Sequence, residues 1–231
     1  MIPLRDDNPT TIKPLVTIGI IVLCTLVFLW QLSLGANGFR SAVMSLGVIP
    51  AALFGDKTLP PELALVPPAM TVLTSQFLHG SWMHLIGNML YLWIFGNNVE
   101  DAMGHVRFVI FYLLCGIVAA LAQALPNPDS TLPMIGASGA ISGVLGAYLL
   151  LFPHARVLVL IPLGFYSRLV PLPAMVVLGF WFVLQLISSA LADPRAGGVA
   201  FGAHIGGFIA GMILLLFFKH RHVRLFAPSR H

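Results

Sequence analysis

Long uncharged runs of apolar residues set the strongest constraint on how this chain can fold. Each run holds about 20 residues, the length of a helix that crosses the roughly 30 Å hydrocarbon core of a bilayer at 1.5 Å per residue. An apolar run of this length is typical of a transmembrane helix and too long for an ordinary core helix. Five segments meet this criterion: 14–34, 108–125, 133–152, 172–191 and 201–218.

The composition agrees with a membrane protein and excludes several other classes. Charged residues make up 9% of the chain and hydrophobic residues 58%, whereas a soluble domain carries roughly 25% charged residues. A globule of 231 residues with so little polar surface could not cover its own core. The composition therefore excludes a soluble enzyme and a disordered chain. It also excludes nucleic acid as the explanation of the net charge of +4; the lipid bilayer is the expected partner.

A sixth span is weaker, because polar residues interrupt it. The segment 82–99 is apolar except for one histidine and three asparagines. Counting it, we predict an all-α polytopic membrane protein, a six-transmembrane-helix bundle over 14–218. The long outer connection 35–81 holds five prolines, and its apolar pieces are too short to span. The bundle is flanked by a short cytoplasmic N-terminus, 1–13, and a basic cytoplasmic tail, 219–231.

The distribution of basic residues predicts the orientation. Cytoplasmic loops of membrane proteins carry an excess of Lys and Arg, and the two sides of this bundle divide twelve basic residues nine to three. We therefore expect both termini in the cytoplasm, with the first span an uncleaved signal anchor. Since no transit peptide or extra domain is recognised, a bacterial plasma membrane is the expected location. The larger group is Arg5, Lys13, Arg107, Arg156, Arg168, Lys219, Arg221, Arg224 and Arg230; the smaller is Arg40, Lys57 and Arg195.

Polar side chains inside apolar helices are unfavourable and therefore mark candidate functional sites. Ser138 lies in a G-A-S-G string in the fourth span, and His204 lies near the start of the sixth in A-H-I-G-G. Each has a plain structural explanation, because a membrane serine often bonds the backbone one turn back and a histidine can be a packed core residue. Small residues recur every four positions beside both, which predicts close packing of the two helices. That packing can bring Ser138 within hydrogen-bond reach of His204.

Two further polar residues share one face of the second span. His84 and Asn88 are four residues apart and so lie one turn apart on the same side of a helix. Two hydrogen-bond donors on one face suit the stabilisation of an oxyanion, and an interhelical hydrogen-bond clasp would use the same residues. His79, just before this span, is expected to order the loop at the membrane interface.

The alternation of the helices places these residues at one depth. With the N-terminus inside, spans two, four and six all start at the outer face, and His84, Ser138 and His204 each lie near the start of one of them. We expect them in the outer third of the membrane, where they form a nucleophile, its base and an oxyanion site. Glu100, at the other end of span two, is expected to be solvated or to pair with Arg107.

Five short motifs follow one another along the chain: LTSQFLH at 73–79, H-x-x-x-N at 84–88, G-x-x-x-E-x-x-x-G at 96–104, G-x-S-G at 136–139 and A-H-I-G-G at 203–207. In this order, on six helices, they resemble the rhomboid family of intramembrane serine proteases over roughly residues 48–216. The resemblance implies a dyad in which Ser138 is the nucleophile and His204 the general base and then acid. It also implies that His84 and Asn88 hold the oxyanion together with the backbone N–H at the serine.

The same resemblance implies the substrate class. The chain would be a serine endopeptidase that cuts single-pass transmembrane proteins within or beside their spans, with the fifth helix and nearby loops as the gate. No cofactor and no metal are expected. The chain has no H-E-x-x-H, and its membrane histidines lack a carboxylate or thiolate companion at ligand spacing.

One position departs from the family pattern. Many relatives carry an aromatic residue four positions after the serine, on which the catalytic histidine packs, and this position is Ser142 here. The orientation of His204 must then come from glycine-mediated packing or from another side chain. Two other functions stay open at this point. One is an inactive rhomboid-like protein that binds membrane clients, and the other is a small transporter whose polar residues line a pore.

Overall fold

Long apolar helices form the body of the molecule, and shorter helices connect them at one end. The computed structural model describes residues 1–55, 57–163, 166–192 and 198–227, apart from the side chain of Leu163. Numbered in chain order, the helices are α1 (Leu15–Ser33), α2 (Gly35–Leu46), α3 (Pro50–Leu53), α4 (Pro68–Thr74), α5 (Trp82–Met103), α6 (His105–Ala124), α7 (Ser138–Leu151), α8 (Ala174–Leu191) and α9 (Phe201–Phe218).

Four of these helices, α1, α6, α8 and α9, are long and apolar enough to cross a membrane, which makes the chain an integral membrane protein. Each of the six predicted spans contains a helix, but α5 and α7 are not among these four. Helix α7 has 14 residues and so measures about 21 Å, less than the roughly 30 Å of the hydrocarbon core. The predicted fourth span, 133–152, is therefore too long, because its first five residues are not helical. The count of six spans stays a prediction.

Helix α7 lies at the centre of the bundle, and α8 lies at its edge. Eleven of the 14 residues of α7 are buried, whereas α8 buries three of its 18, namely Ala174, Val177 and Leu178. A helix enclosed by its neighbours does not have to match the bilayer thickness by itself, which accounts for the short length of α7.

The all-α prediction needs correction, because the structure also contains an antiparallel sheet. Its strands are β1 (Ile2–Asp6), β2 (Arg156–Leu163) and β3 (Tyr166–Pro173), in the order β1-β2-β3. In β2, Val157 and Val159 are fully buried, and this period of two favours a strand over a loop. Strand β1 pairs along β2, so the start of the predicted N-terminal segment 1–13 belongs to the folded body. Strand β3 leads directly into α8.

The expectation for Glu100 is also wrong. Its side chain is fully buried and accepts hydrogen bonds from Val16 N at 2.9 Å, from Thr17 N at 2.8 Å and from Thr17 Oγ1 at 2.7 Å. It pairs at 2.6 Å with His105 Nδ1 and not with Arg107. The first N–H groups of a helix lack partners within the helix and favour negative charge. Glu100 therefore caps the start of α1.

The connection 35–81 folds over the end of the bundle where α7 begins. It contains α2, α3, α4 and a 3-10 turn at Ser75–Phe77, and no described helix in it is long enough to span. Val48 forms a β-bridge with Met134, and Gly136 N donates to Ser75 O at 2.9 Å. These bonds fix the chain that leads into Ser138.

Candidate active site

Ser138 and His204 are brought together at one end of the bundle. Ser138 is the first residue of α7, and His204 lies in the first turn of α9. Their side chains are joined by a hydrogen bond of 2.8 Å between Ser138 Oγ and His204 Nε2. The hydrogen bond forms although the two residues are 66 positions apart.

Glycines allow this approach. A Cβ built at Gly207 would collide with Gly139 O, and one built at Gly211 would collide with Gly143 O. The backbones of α7 and α9 are thus in direct contact, as the four-residue spacing of small residues predicted. This contact is what sets the serine and the histidine at hydrogen-bond distance.

The other ring nitrogen of His204 also has a hydrogen-bond partner. His204 Nδ1 lies 2.8 Å from Gln185 Oε1 on α8, and the ring of Trp181, one turn earlier, lies 5.8 Å from the His204 ring at an interplanar angle of 37°. Ser142 faces elsewhere and donates to Ser138 O at 2.6 Å. Gln185 was not among the predicted site residues, although the rule that marks polar side chains within a span applies to it.

His84 lies next to Gly136, in the loop that leads into Ser138. Gly80 N donates to His84 Nδ1 at 3.3 Å, so in the neutral ring the proton sits on Nε2. A Cβ built at Gly136 would lie 2.7 Å from His84 Nε2 and 3.8 Å from Ser138 Oγ. Gly136 therefore lies between the histidine and the serine, and its φ of +126° is a backbone conformation that favours glycine. The N–H of His84 is directed toward the site.

Asn88 lies on the same face of α5, one turn further on, and is 8% exposed. Its amide nitrogen makes no hydrogen bond to any described group, although buried donors are nearly always paired. No hydrogen bond joins Asn88 to Ser138 or His204 among the described residues. The asparagine therefore presents a free donor rather than a contact within the resting site.

The side chain of His79 is fully buried within the protein, and its position at the membrane interface stays a prediction. Its ring packs edge-on against His84, with centroids 5.1 Å apart, and its backbone N–H donates to Gln31 Oε1 at 3.0 Å. His79 therefore packs against the His84 ring. Burial lowers the pKa of His79 to about 4, so the His79 ring is neutral.

A small cavity of about 40 Å³ borders Ser138. Its lining includes Ser75, Gln76, Gly116 and Gly139, and Gln76 Oε1 has no hydrogen-bond partner in the described structure. A cavity of this size has room for a water molecule, and the hydroxyl of Ser138 at its border can bond to it. Water can therefore be held next to the serine, within an otherwise apolar bundle.

A rhomboid-domain family model matches residues 68–221, more than half of the chain and all of the site. The chain belongs to the rhomboid family. All five motifs that suggested this family, from LTSQFLH at 73–79 to A-H-I-G-G at 203–207, fall within the matched region.

Curated relatives of this rhomboid come from distant organisms. It is 30% identical over 206 residues to Rhomboid protein 1, mitochondrial, of Saccharomyces cerevisiae, which is 84% of this chain and 56% of that protein. It is 34% identical over 140 residues to the rhomboid protease GluP of Bacillus subtilis, which is 61% of this chain and 24% of that protein. A third relative, Rhomboid-like protein 11, chloroplastic, of Arabidopsis thaliana, is 27% identical over 152 residues, 62% of this chain and 50% of that protein. The matched part is about half or less of each relative.

The site of this rhomboid is made of uncharged polar groups. Among the residues that the structure describes, no group of three or more His, Cys, Asp or Glu side chains lies close enough to hold a metal ion. The groups that can do chemistry here are the Ser138 hydroxyl, the imidazoles of His204 and His84, and the amides of Asn88 and Gln185.

Proposed function

We propose that this rhomboid is an intramembrane serine endopeptidase that cleaves single-pass transmembrane proteins within or beside their spans. The observation that carries the proposal is the 2.8 Å hydrogen bond between Ser138 Oγ and His204 Nε2. A serine hydroxyl is a weak nucleophile until an adjacent base takes its proton, and a histidine at hydrogen-bond distance is such a base. The dyad is the arrangement of an acyl-transfer enzyme.

In the first step, Ser138 Oγ attacks the scissile carbonyl carbon while His204 Nε2 takes the hydroxyl proton. The tetrahedral intermediate collapses, the C–N bond breaks, and His204 gives its proton to the leaving amine. In the second step, His204 takes a proton from water as the water attacks the acyl-enzyme, and then returns it to Ser138. The cavity beside Ser138 is a suitable source for that water.

On this proposal three kinds of donor stabilise the oxyanion. The first turn of α7 leaves backbone N–H groups without helical partners at Ser138, and the helix N-terminus favours negative charge. His84 directs Nε2–H toward the loop at Gly136, and Asn88 holds an unpartnered amide N–H. Donors fixed before the reaction cost no reorganisation when charge develops.

The substrate has to reach Ser138 from within the bilayer. Helix α8 buries three of its 18 residues, the smallest share among the four long apolar helices. Its displacement would therefore cost less packing than that of the other three, and we propose it as the lateral gate. A transmembrane substrate must also unwind to expose a carbonyl. Substrates with Gly or Pro near the cleavage site are therefore favoured, because these residues weaken a helix by about 1 and 3 kcal/mol.

The proposed topology follows the charge distribution. The sequence assigns nine of the twelve basic residues to one side of the bundle, and the excess of Lys and Arg in cytoplasmic loops supports a topology with both termini in the cytoplasm and Ser138 near the outer face. On this proposal the protein resides in a bacterial plasma membrane and cuts its substrates near their outer ends. The membrane unit is the bundle 14–218, and the segments 1–13, with the paired strand β1, and 219–231 belong to the cytoplasmic side.

The test is cleavage of a single-pass model substrate by the purified protein in liposomes. Ser138→Ala and His204→Ala should each abolish cleavage, since members of a dyad act as a unit. A fluorophosphonate probe should label wild type at Ser138, as read by mass spectrometry of the modified peptide.

Ser142→Ala is the matched control. This serine lies one turn further along α7 and donates to Ser138 O, so its loss should leave most of the activity and the probe labelling intact. Cleavage retained in Ser138→Ala would overturn the dyad. A wild-type protein that binds the substrate but neither cleaves it nor reacts with the probe would instead favour an inactive, client-binding rhomboid.

A further inference from the structure

The base of the proposed dyad has a second hydrogen bond that comes from the gate helix. His204 Nδ1 lies 2.8 Å from Gln185 Oε1, and His204 Nε2 lies 2.8 Å from Ser138 Oγ. Ser138, His204 and Gln185 therefore form a continuous chain that runs from α7 through α9 to α8. The third place in this chain is occupied by an amide and not by a carboxylate.

A second, longer contact favours one orientation of the amide. Gln185 Nε2 is 3.4 Å from Trp181 O, and because an amide nitrogen can only donate, this contact leaves Oε1 pointing at His204. An amide oxygen can only accept, so His204 Nδ1 must carry the proton. The lone pair of the neutral ring is then on Nε2, which is the atom that has to accept the Ser138 proton.

The three helices that carry this chain of hydrogen bonds contribute no charged side chain that could do the same work. Helices α7, α8 and α9 contain no Asp, Glu, Lys or Arg. A buried carboxylate would carry a large desolvation penalty in the membrane. An amide can select the ring tautomer without introducing a charge.

The same helix also contacts the ring and the turn that follows it. Trp181 lies beside the His204 ring, and Phe182 stacks on Phe208 of α9 with centroids 4.5 Å apart. The buried residues of α8 all lie in its first five positions, well away from Gln185. At the level of the site, α8 is therefore held by these aromatic contacts and by the hydrogen bond to His204.

We propose that Gln185 is the positioning residue of the dyad: it fixes the Nδ1–H tautomer and the orientation of His204, and it does so only while α8 is docked. The proposal rests on the proposed function, because it assigns a role in the same site. It means that movement of the gate helix and readiness of the base are coupled, since displacement of α8 withdraws the acceptor from His204.

The test compares Gln185→Met, Gln185→Glu and a matched control, Gln123→Met. Gln123 also uses its amide oxygen to hold α9, but it accepts from the backbone N–H of Ala203 at 3.2 Å and not from the imidazole. For each variant, kcat and KM are measured from pH 5 to pH 9, a range of about four units around the usual histidine pKa. The tautomer of His204 is read separately by ¹⁵N NMR of histidine-labelled protein, with His204→Asn to assign the signal.

Gln185→Met keeps the length of the side chain and removes the acceptor. We expect kcat to fall about 10- to 100-fold with KM little changed, as for loss of an interaction that acts in the transition state, and the ¹⁵N signals to change to a mixture of tautomers. Gln185→Glu should restore most of kcat and the Nδ1–H tautomer. It should also move the acid limb of the kcat/KM profile to higher pH, because a carboxylate stabilises the imidazolium. Gln123→Met should change neither the tautomer nor the acid limb.

Two results would overturn the proposal. One is wild-type kcat and an unchanged tautomer in Gln185→Met. The other is a loss of kcat in Gln185→Met with the tautomer intact and no recovery in Gln185→Glu, which would assign Gln185 to helix packing alone. Failure of the proposed function looks different, because wild type would then not cleave the substrate while the NMR comparison would still decide whether Gln185 sets the tautomer.

Discussion

Tyr148 donates a hydrogen bond to Asp6, with 2.5 Å between its Oη and Asp6 Oδ2. Tyr148 is a fully buried residue of α7, the helix that begins with Ser138, and Asp6 is the last residue of β1. The N-terminal strand is therefore tied to the helix that carries the proposed nucleophile. Strand β1 is also paired with β2, so the sheet and the central helix are linked at this end of the bundle.

The contribution of the partly buried Asp6 side chain to stability should depend on pH. Burial raises the pKa of Asp6 from 3.8 to about 6, and the Tyr148 hydrogen bond partly opposes the rise. Between these two values the folded protein binds a proton that the unfolded chain does not. The contribution is thus fully present below pH 3.8 and is lost as pH rises through about 6. We expect the melting temperature of wild type, relative to that of Asp6→Asn, to fall across this window and to level off above it.

A second variant checks the cause. Tyr148→Phe removes the hydroxyl that lowers the Asp6 pKa and keeps the ring, so the pH at which the stability is lost should move upward. Differential scanning fluorimetry in detergent at half-unit pH steps is sufficient for both comparisons. A constant difference between wild type and Asp6→Asn at every pH would contradict the assignment.

Glu100→Gln should destabilise the fold without altering the chemistry of the site. The buried carboxylate accepts three hydrogen bonds from the start of α1 and pairs with His105. An amide replaces one acceptor by a donor that meets N–H groups, and loss of such charge-assisted bonds costs about 2–4 kcal/mol. Unfolding by mixed-micelle denaturation measures the loss, and kcat per folded molecule should be unchanged.

Asp101→Asn is the comparison for this variant. Asp101 Oδ1 accepts from Thr11 N at 3.1 Å and from Ile12 N at 3.0 Å in an exposed or half-buried setting, where solvent replaces lost bonds. Its substitution should cost below about 1 kcal/mol. Equal losses in the two variants would show that burial of Glu100 does not matter.

The proposed dyad could be predicted from the sequence because its determinants are periodic. Small residues four positions apart indicate which helices touch, and alternation of the spans indicates which ends meet. These two rules bring Ser138 next to His204, and the structure places them in hydrogen-bond contact. Helix packing depends in a regular way on the spacing of small residues, so the sequence is sufficient to predict this part of the site.

Contacts between distant side chains are not periodic, and these are what the sequence did not reveal. Glu100 could not be matched with Thr17, which lies 83 positions earlier, by any local rule. Gln185 is one amide in an apolar span, and whether it reaches His204 depends on the rotation of α8 about its axis. Strand β2 was not predicted for another reason. Its alternating buried residues lie between two long apolar runs, so the segment resembles a connecting loop.

Gly207→Ala should separate the proposed nucleophile from its base. The added Cβ would collide with Gly139 O and lie 3.3 Å from Ala119 Cβ, so α9 has to move away from α7. Overpacking of this kind costs about 1–3 kcal/mol, and a displacement near 1 Å at a reacting group can lower the rate about 100-fold. The cleavage rate and the denaturation midpoint should both fall.

Gly179→Ala provides the control for a glycine in a membrane helix. A Cβ at Gly179, on α8, meets nothing within 4 Å, so the variant should keep wild-type cleavage and gain up to about 1 kcal/mol of stability. If Gly207→Ala behaved in the same way, the close contact of α7 and α9 would not be what sets the site.

Asn88→Ala should lower kcat while leaving KM and the fold unchanged. The amide nitrogen of Asn88 is buried and makes no hydrogen bond within the described structure, so truncation breaks no existing bond and the melting temperature should hold. If the amide donates to the oxyanion, its loss should reduce kcat about 10- to 1000-fold. Asn97→Ala, near the other end of the same helix, should retain full activity. An Asn88→Ala protein with wild-type kcat and a lowered melting temperature would assign the residue to an interhelical clasp, and the oxyanion would then rest on His84 and the backbone of α7.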